Sequence, residues 1–365
     1  MAANFKALKP SYFAVPILSL GILALTWEQN LAFPILLVLG LVLVATVFVA
    51  VHHAEVVALR VGEPFGSLIL AIAVTVIEVG MIIVLILDDP AAARDLPRDT
   101  VFAAVMITTT GIVGASLLVK TLRRKVATFN AEGIGGAVGA LAALSVLSLV
   151  LPSVTTSSPG PTFTPFQLGF AAVASLAMYL TFVAVQTVRH RDYFLPPIKP
   201  NVEQSENSHV TPPSAKLAWW SLAALFGSLV AVVGLAKVTS PLITSVVSDF
   251  GLPQTVVAVS IAVVVLLPES VSAIKAAYSG RTQTSLNLAY GSALASIGLT
   301  IPVIAILSIV FSYEVNLGLN PSEITLLFLT LIVSTLTVVQ GRATLLQAAV
   351  HLGIFGSFMM VVFAP

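Results

Sequence analysis

Two glutamates, Glu78 and Glu269, lie deep inside apolar runs, AVTVIEVGMII and AVVVLLPESVS. The chain has sixteen Asp and Glu, and the other fourteen fall at the ends of such runs or between them. A carboxylate at the centre of a bilayer costs roughly 2.5 to 3.5 kcal/mol on insertion scales, so an intramembrane acid usually faces a polar cavity and acts there. The chemistry open to such a group is to hold a proton or a cation. Two carboxylates sharing a low-dielectric cavity do not easily both stay ionised, because desolvation and mutual repulsion favour the protonated form unless a metal ion takes the protons' place. Protons and a cation would then compete for the same oxygens. Coupled to alternating exposure of the site, that competition is antiport.

The neighbours of both glutamates supply further oxygens. Ser67, Ala71, Thr75 and Glu78 follow one another at spacings of four, four and three, and so share one small, polar helical face amid Ile, Val and Leu. Pro268 immediately precedes Glu269. A proline within a helix removes one backbone hydrogen bond and clashes with the carbonyl four residues earlier, here that of Val264, one turn from the carboxylate. Released carbonyls and a carboxylate are hard oxygen ligands suited to calcium, sodium or potassium. Elsewhere, Thr108, Thr109 and Thr110 precede Gly111 and Gly114, and Asn287, Gly291, Ser292, Ser296 and Thr300 lie in one run with Pro302 placed to release the Gly298 carbonyl. Taken singly, each Ser or Thr is an ordinary helix-packing residue, since small residues let helix backbones approach. The candidate site is therefore Glu78 and Glu269 as ion, metal and proton ligands, supported by Thr75, Val264, Ser292, Asn287, Ser296 and Thr109.

The elements that must position these residues are membrane helices. Charged residues are 9% of the 365, apolar residues 58%, and the mean hydropathy is +1.04. A soluble fold of this length could not cover its surface with so little charge, whose usual share is about 25%. The absence of cysteine excludes disulfides and thiol chemistry, and no basic run with interleaved aromatics suggests nucleic acid. Spans of about 20 apolar residues fall at 11–27, 31–51, 65–87, 99–120, 134–152, 165–188, 216–238, 252–276, 284–311, 322–339 and 343–363. The first follows Lys6 and Lys9 like a signal peptide, but without a small-x-small cleavage site it reads as a retained helix. The longest polar stretch, 189–213, carries five prolines and reads as a flexible linker.

Basic residues set the orientation. With the N-terminus inside, fourteen Lys and Arg face the cytoplasm and only Arg94, Arg98 and Lys237 face outward. The N-terminus is expected in the cytoplasm and the C-terminus outside. The chain then divides into an N-terminal helix (1–30), five spans (31–188), a cytoplasmic linker (189–215) and five more spans (216–365). An odd number per half reverses the polarity of the second, and in each half the second helix carries the buried Glu. The expected fold is an all-α polytopic membrane protein of about eleven helices, one plus two inverted-topology repeats, with the site where the halves meet.

These segments resemble a known family. GEPFGSLILAIAVTVIEV, from Gly62 to Val79, resembles the first α-repeat of the calcium:cation antiporter superfamily, and LLPESVSAIKAAYSGRTQTSLNLAYGSALASIGLTIPV, from Leu266 to Val303, resembles the second. The surrounding motif regions cover 62–120 and 252–311, and HHAEVVALR, RDT at 98–100 and GRATLLQAAVHL extend the likeness to bacterial ChaA-type calcium/sodium/potassium–proton antiporters. The resemblance implies a bacterial inner-membrane antiporter of ten core helices plus one, exporting Ca²⁺, Na⁺ or K⁺ in exchange for H⁺ with no cofactor. It carries the acidic ligands onto Glu78 and Glu269, the second-motif Gly-Ser onto Gly291 and Ser292, and an acid preceding the first motif onto Glu63. Two departures matter: Val74 and Thr75 stand where the Gly-Asn-x-x-Glu pattern has asparagine, and Ile77 where sodium/calcium exchangers have proline. A site this poor in oxygens favours protons over sodium as the counter-ion.

His52, His53 and Glu55, with Glu63 beyond, are expected at the cytoplasmic mouth, as a proton-entry or pH-regulating cluster or as a solvated interfacial loop. His351, within the last span, reads as a packed, hydrogen-bonded residue. Lys237, Asp249 and Lys275 are expected to snorkel at span ends, and Gln340 and Arg342 to end a helix. An intramembrane enzyme is disfavoured, because His52-His53-Ala54-Glu55 does not supply His-Glu-x-x-His. A sodium/calcium exchanger, or a passive channel lined by the paired acids, is the alternative. The partners expected are inorganic cations, protons and the lipid bilayer; no oligomeric state follows from the sequence.

Overall fold

The computed structural model describes residues 10–62, 65–88, 93–196 and 212–365. They form eleven helices: α1 (Pro10–Thr26), α2 (Phe33–Val61), α3 (Phe65–Asp88), α4 (Leu96–Arg124), α5 (Ala131–Val154), α6 (Pro165–Arg189), α7 (Ala215–Asp249), α8 (Thr255–Tyr278), α9 (Thr282–Phe311), α10 (Pro321–Val339) and α11 (Leu345–Phe363). Ten of them, α2 to α11, are long and apolar enough to cross a membrane, and α1, at 17 residues, is shorter but equally apolar. The chain is an all-α polytopic membrane protein.

Local chemistry sets the helix ends. Thr164 and Gln167 form a reciprocal capping box before α6, as Asn320 and Glu323 do before α10, each with Pro as the first helical residue. Gly62, at φ 79°, ends α2 in a conformation that side chains resist and turns the chain into α3. Two helices outrun their expected spans. Helix α2 continues to Val61 because HHAEVVALR contains no breaker, and α7 continues to Asp249 through Pro241. A two-residue antiparallel bridge, β1 (Ala127–Thr128) with β2 (Arg342–Ala343), sets Ala127 opposite Ala343. The start of the expected linker is ordered: Arg191–Phe194 is a 3₁₀ turn with Phe194 buried, and His190 stacks on Tyr193 at 4.9 Å between ring centroids. The rest of it, 197–211, lies outside the described residues.

The chain divides into two compact units, Met1–Met81 with Pro197–Ile243 and Ile82–Pro196 with Thr244–Pro365. In the first, α1 packs on α2 through a buried hydrogen bond between the Ser19 and Thr46 hydroxyls at 2.7 Å. In the second, α6 packs on α9 and α4 on α11. Glycines make both approaches: a Cβ at Gly298 would lie 2.6 Å from Tyr179 Cβ, and one at Gly114 would lie 2.9 Å from Leu352 Cγ. The last helix of each five thus lies on the third helix of the other five, the exchange expected of two repeats related by a two-fold axis.

Candidate cation site

Glu78 belongs to the first unit, near the middle of α3. The polar face expected from its spacing becomes more enclosed along the helix: Ser67 and Ala71 are half-buried, Thr75 and Glu78 buried, with Glu78 only 2% exposed. Next to it, a Cβ on Gly80 would come within 2.5 Å of a Val233 methyl, so α3 and α7 approach closely beside the carboxylate.

Glu269 belongs to the second unit, in α8, 6% exposed and preceded by the buried Pro268 inside the helix. Val264 is half-buried one turn before it. Helices α8 and α4 run alongside each other, tied at both ends. The Thr255 side chain hydrogen-bonds Asp99 at one end. At the other, Arg123 donates to the Tyr278 carbonyl at 2.7 Å and lies 4.1 Å over the Tyr278 ring. Glu269 is fourteen residues beyond Thr255, and the same count from Asp99 reaches Val113. The carboxylate therefore sits at the depth of Val113, just past a π-helical turn, Ile107–Ile112, that holds Thr108, Thr109 and Thr110.

All three threonines are fully buried. Their hydroxyls donate back to the preceding turn, Thr108 to the Ala104 carbonyl at 2.7 Å, Thr109 to Val105 at 2.6 Å, and Thr110 to Met106. A hydroxyl that donates its one proton keeps two acceptor lone pairs, so these oxygens can still ligate a cation. The carbonyl of Thr109 accepts from His351 Nδ1 at 2.9 Å, and His351 Nε2 is 3.2 Å from the Thr337 hydroxyl. Helix α9 reaches α4 through Ser285, whose hydroxyl donates to Ser116 at 2.8 Å. Beyond it, Ser292 is half-buried and Ser296 buried, and Pro302 is buried within the same helix.

Other expected participants have partners of their own. The Asn287 amide donates to the Phe194 carbonyl at 2.8 Å and accepts from Gln283 at 3.0 Å, while Gln283 accepts from the Asn130 backbone at 2.7 Å. Asn287 thereby ties the start of α9 to the 3₁₀ turn. His52, His53 and Glu55 are not in an interfacial loop but in α2, where the helix continues unbroken. His53 is fully buried, its Nε2 3.0 Å from the Tyr12 carbonyl, and His52 stacks on Tyr12 at 4.2 Å. Glu55 is 3.7 Å from His52. Glu63 lies outside the described residues. Lys237 sits within α7 over the Trp27 ring at 4.9 Å, whereas Asp249 and Lys275 are exposed near the ends of α7 and α8.

One cluster went unread in the sequence. Arg98, at the start of α4, donates to Asp99 at 2.7 Å and to the Gly318 carbonyl at 3.2 Å, and lies 3.4 Å from Asp95. Asp95, Arg98 and Asp99 line a cavity of about 550 Å³ with Thr244, Ser245, Ser248, Gln254 and Thr255. In the sequence Arg98 reads as an outward charge and as part of the RDT likeness; the signal for the cluster is an acid, Asp99, in the first turn of a span. Among the described residues, no three His, Cys, Asp or Glu are grouped to hold a metal ion.

The profile of the sodium/calcium exchanger protein family matches residues 31–188 and 220–364. The chain belongs to this family, within the calcium:cation antiporters. The two matched segments of the exchanger family fall on α2–α6 and α7–α11. Among members, an ionic transporter by name, y4hA of Sinorhizobium fredii, is 43% identical over 323 residues, covering 88% of this chain and 87% of its own. The sodium-potassium/proton antiporter ChaA of Escherichia coli is 31% identical over 360 residues, covering 98% and 97%. Solved structures share the exchanger fold. Native YfkE superposes with a TM-score of 0.73 at 17% identity, covering 97% of this chain and 100% of its own. The H⁺/Ca²⁺ exchanger CAX gives 0.71 at 14% identity, covering 99% and 90%.

Proposed function

We propose that this exchanger-family member is a cation/proton antiporter in which protons and a cation compete for Glu78 and Glu269 under alternating access. The observation that carries the proposal is the burial of these carboxylates, 2% and 6% exposed, in the second helix of each five-helix half. An intramembrane acid is costly unless it does such work. Thr75 on the first side, and the Val264 carbonyl, Thr109, Ser292 and Ser296 on the second, are the supporting oxygens. If both glutamates exchange two protons for one divalent ion, the site charge balances in both loaded states. The cation is Ca²⁺, Na⁺ or K⁺: ChaA is named for sodium and potassium, and CAX for calcium. The membrane is the bacterial inner membrane, with the N-terminus cytoplasmic and the C-terminus outside, in keeping with the excess of basic residues on one face.

Everted vesicles with an acidified lumen test this. Adding Ca²⁺, Na⁺ or K⁺ outside, at neutral and alkaline pH, should release lumenal protons, and the panel identifies the cation. Glu78→Gln and Glu269→Gln should abolish exchange while inserting at wild-type levels; retained exchange in either overturns the proposal. Cation flux without proton movement would indicate a channel. A net current with one Ca²⁺ moved per cycle would refute the two-proton stoichiometry.

A further inference from the structure

Histidine 351 is fully buried in α11, where leucine would pack at lower cost, and the mechanism above does not use it. Both ring nitrogens are engaged. A carbonyl can only accept, so Nδ1, 2.9 Å from the Thr109 oxygen, carries the proton. Nε2 lies 3.2 Å from the Thr337 hydroxyl, which can donate to it or accept from it. One side chain thus joins α4, α10 and α11.

The carbonyl it holds is no ordinary helix carbonyl. A π-turn widens the hydrogen-bond ladder, as where the Val113 N–H reaches back five residues to Thr108. Such turns recur at functional sites, and the threonines' own back-bonding adds bend. Glycines deliver the histidine to it: a Cβ on Gly111 would lie 3.2 Å from the Phe355 ring, and one on Gly114 3.1 Å from His351 Cβ. This segment of α4 faces two ways, packing on α11 with the histidine and on α8, the helix of Glu269.

We propose that His351 is a positioning residue for the cation site, its Nδ1–H on the Thr109 carbonyl holding the π-turn of α4 in register against the helix of Glu269. The inference rests on the antiport reading above. If the turn slips to regular α geometry, the residues beyond it, Val113 and Gly114 at the depth of Glu269, rotate relative to α8 and the face of α4 turned to the carboxylate changes. The defect then appears first in cation affinity.

The test is the half-saturating cation concentration for proton release in everted vesicles, read beside the maximal rate per inserted protein. Asparagine carries its N–H where histidine carries Nδ1, whereas glutamine carries it at the Nε2 position. His351→Asn and Thr337→Val should stay within about threefold of wild type. His351→Gln and His351→Leu should raise half-saturation about tenfold or more with the maximal rate less affected. Unchanged affinity in inserted His351→Leu, or an asparagine variant as impaired as the leucine one, overturns the assignment. If neither Leu nor Gln accumulates in the membrane, the residue is structural and the proposal falls. Absence of proton release by the wild type would instead remove the antiport reading before any variant is compared.

Discussion

Replacing Arg98 by methionine keeps most of the side-chain volume and removes the charge. In the native protein the Arg98 and Asp99 side chains are 12% and 5% exposed, and the guanidinium Nε donates to the carboxylate at 2.7 Å. The variant strands a buried carboxylate and leaves the Gly318 carbonyl without the Arg98 N–H at 3.2 Å. Breaking a buried pair by removing one partner costs about 3 to 5 kcal/mol, or roughly two to three and a half powers of ten in the folding equilibrium. Replacing both partners with apolar residues is often neutral, so Arg98→Met/Asp99→Leu should recover most of that loss. What remains is about 1 kcal/mol each for the Gly318 carbonyl and the Thr255 hydroxyl, which both lose a partner. Denaturation by SDS from mixed micelles, run on the wild type, both single variants and the double, yields the four free energies. A single variant as stable as wild type would refute the reasoning, as would a double variant whose loss equals the sum of the two singles.

Gly298→Ala should destabilise by about 1 to 3 kcal/mol in the same titration, because its Cβ would overlap Tyr179 Cβ at 2.6 Å; an unchanged midpoint would show that α6 and α9 part easily. Competition at the glutamates gives apparent cation affinity a sign: it should rise with pH, by about tenfold per pH unit for each proton displaced. Half-saturation of proton release that does not change between neutral and alkaline pH would deny competition. The chain has no cysteine, so single introductions report topology directly. An impermeant maleimide should label Ser157→Cys from outside intact spheroplasts and Ser279→Cys only in everted vesicles; the reverse pattern would invert the orientation.

Helices and acids were legible in the sequence because both rest on local composition. Eleven apolar runs became eleven helices, and the rarity of charge within them isolated Glu78 and Glu269. Partners distant in the chain were not legible. HHAE reads as a polar break after a span, yet α2 runs through it, and His53 there meets the Tyr12 carbonyl of α1. The π-turn leaves no signature, since Thr-Thr-Thr-Gly is compatible with an ordinary helix and the ladder's register depends on packing. His351 was expected to be packed and hydrogen-bonded, and it is; its partner Thr109, 242 positions earlier, could not be named. The partners of Asn287 are illegible for a related reason. Its run is rich in oxygen ligands, but its amide is taken by Phe194 from the ordered start of a segment that reads as linker.

The crosswise pairing of α6 with α9 and of α4 with α11 bears on biogenesis. As the chain leaves the ribosome, α4 and α6 enter the bilayer long before their partners are synthesised. Each must wait with a glycine- or tyrosine-bearing face against lipid, tolerable because that face is apolar apart from a few hydroxyls. Neither half can finish packing alone, so a chain cut between α6 and α7 should yield two fragments that survive proteolysis only when made in the same cell.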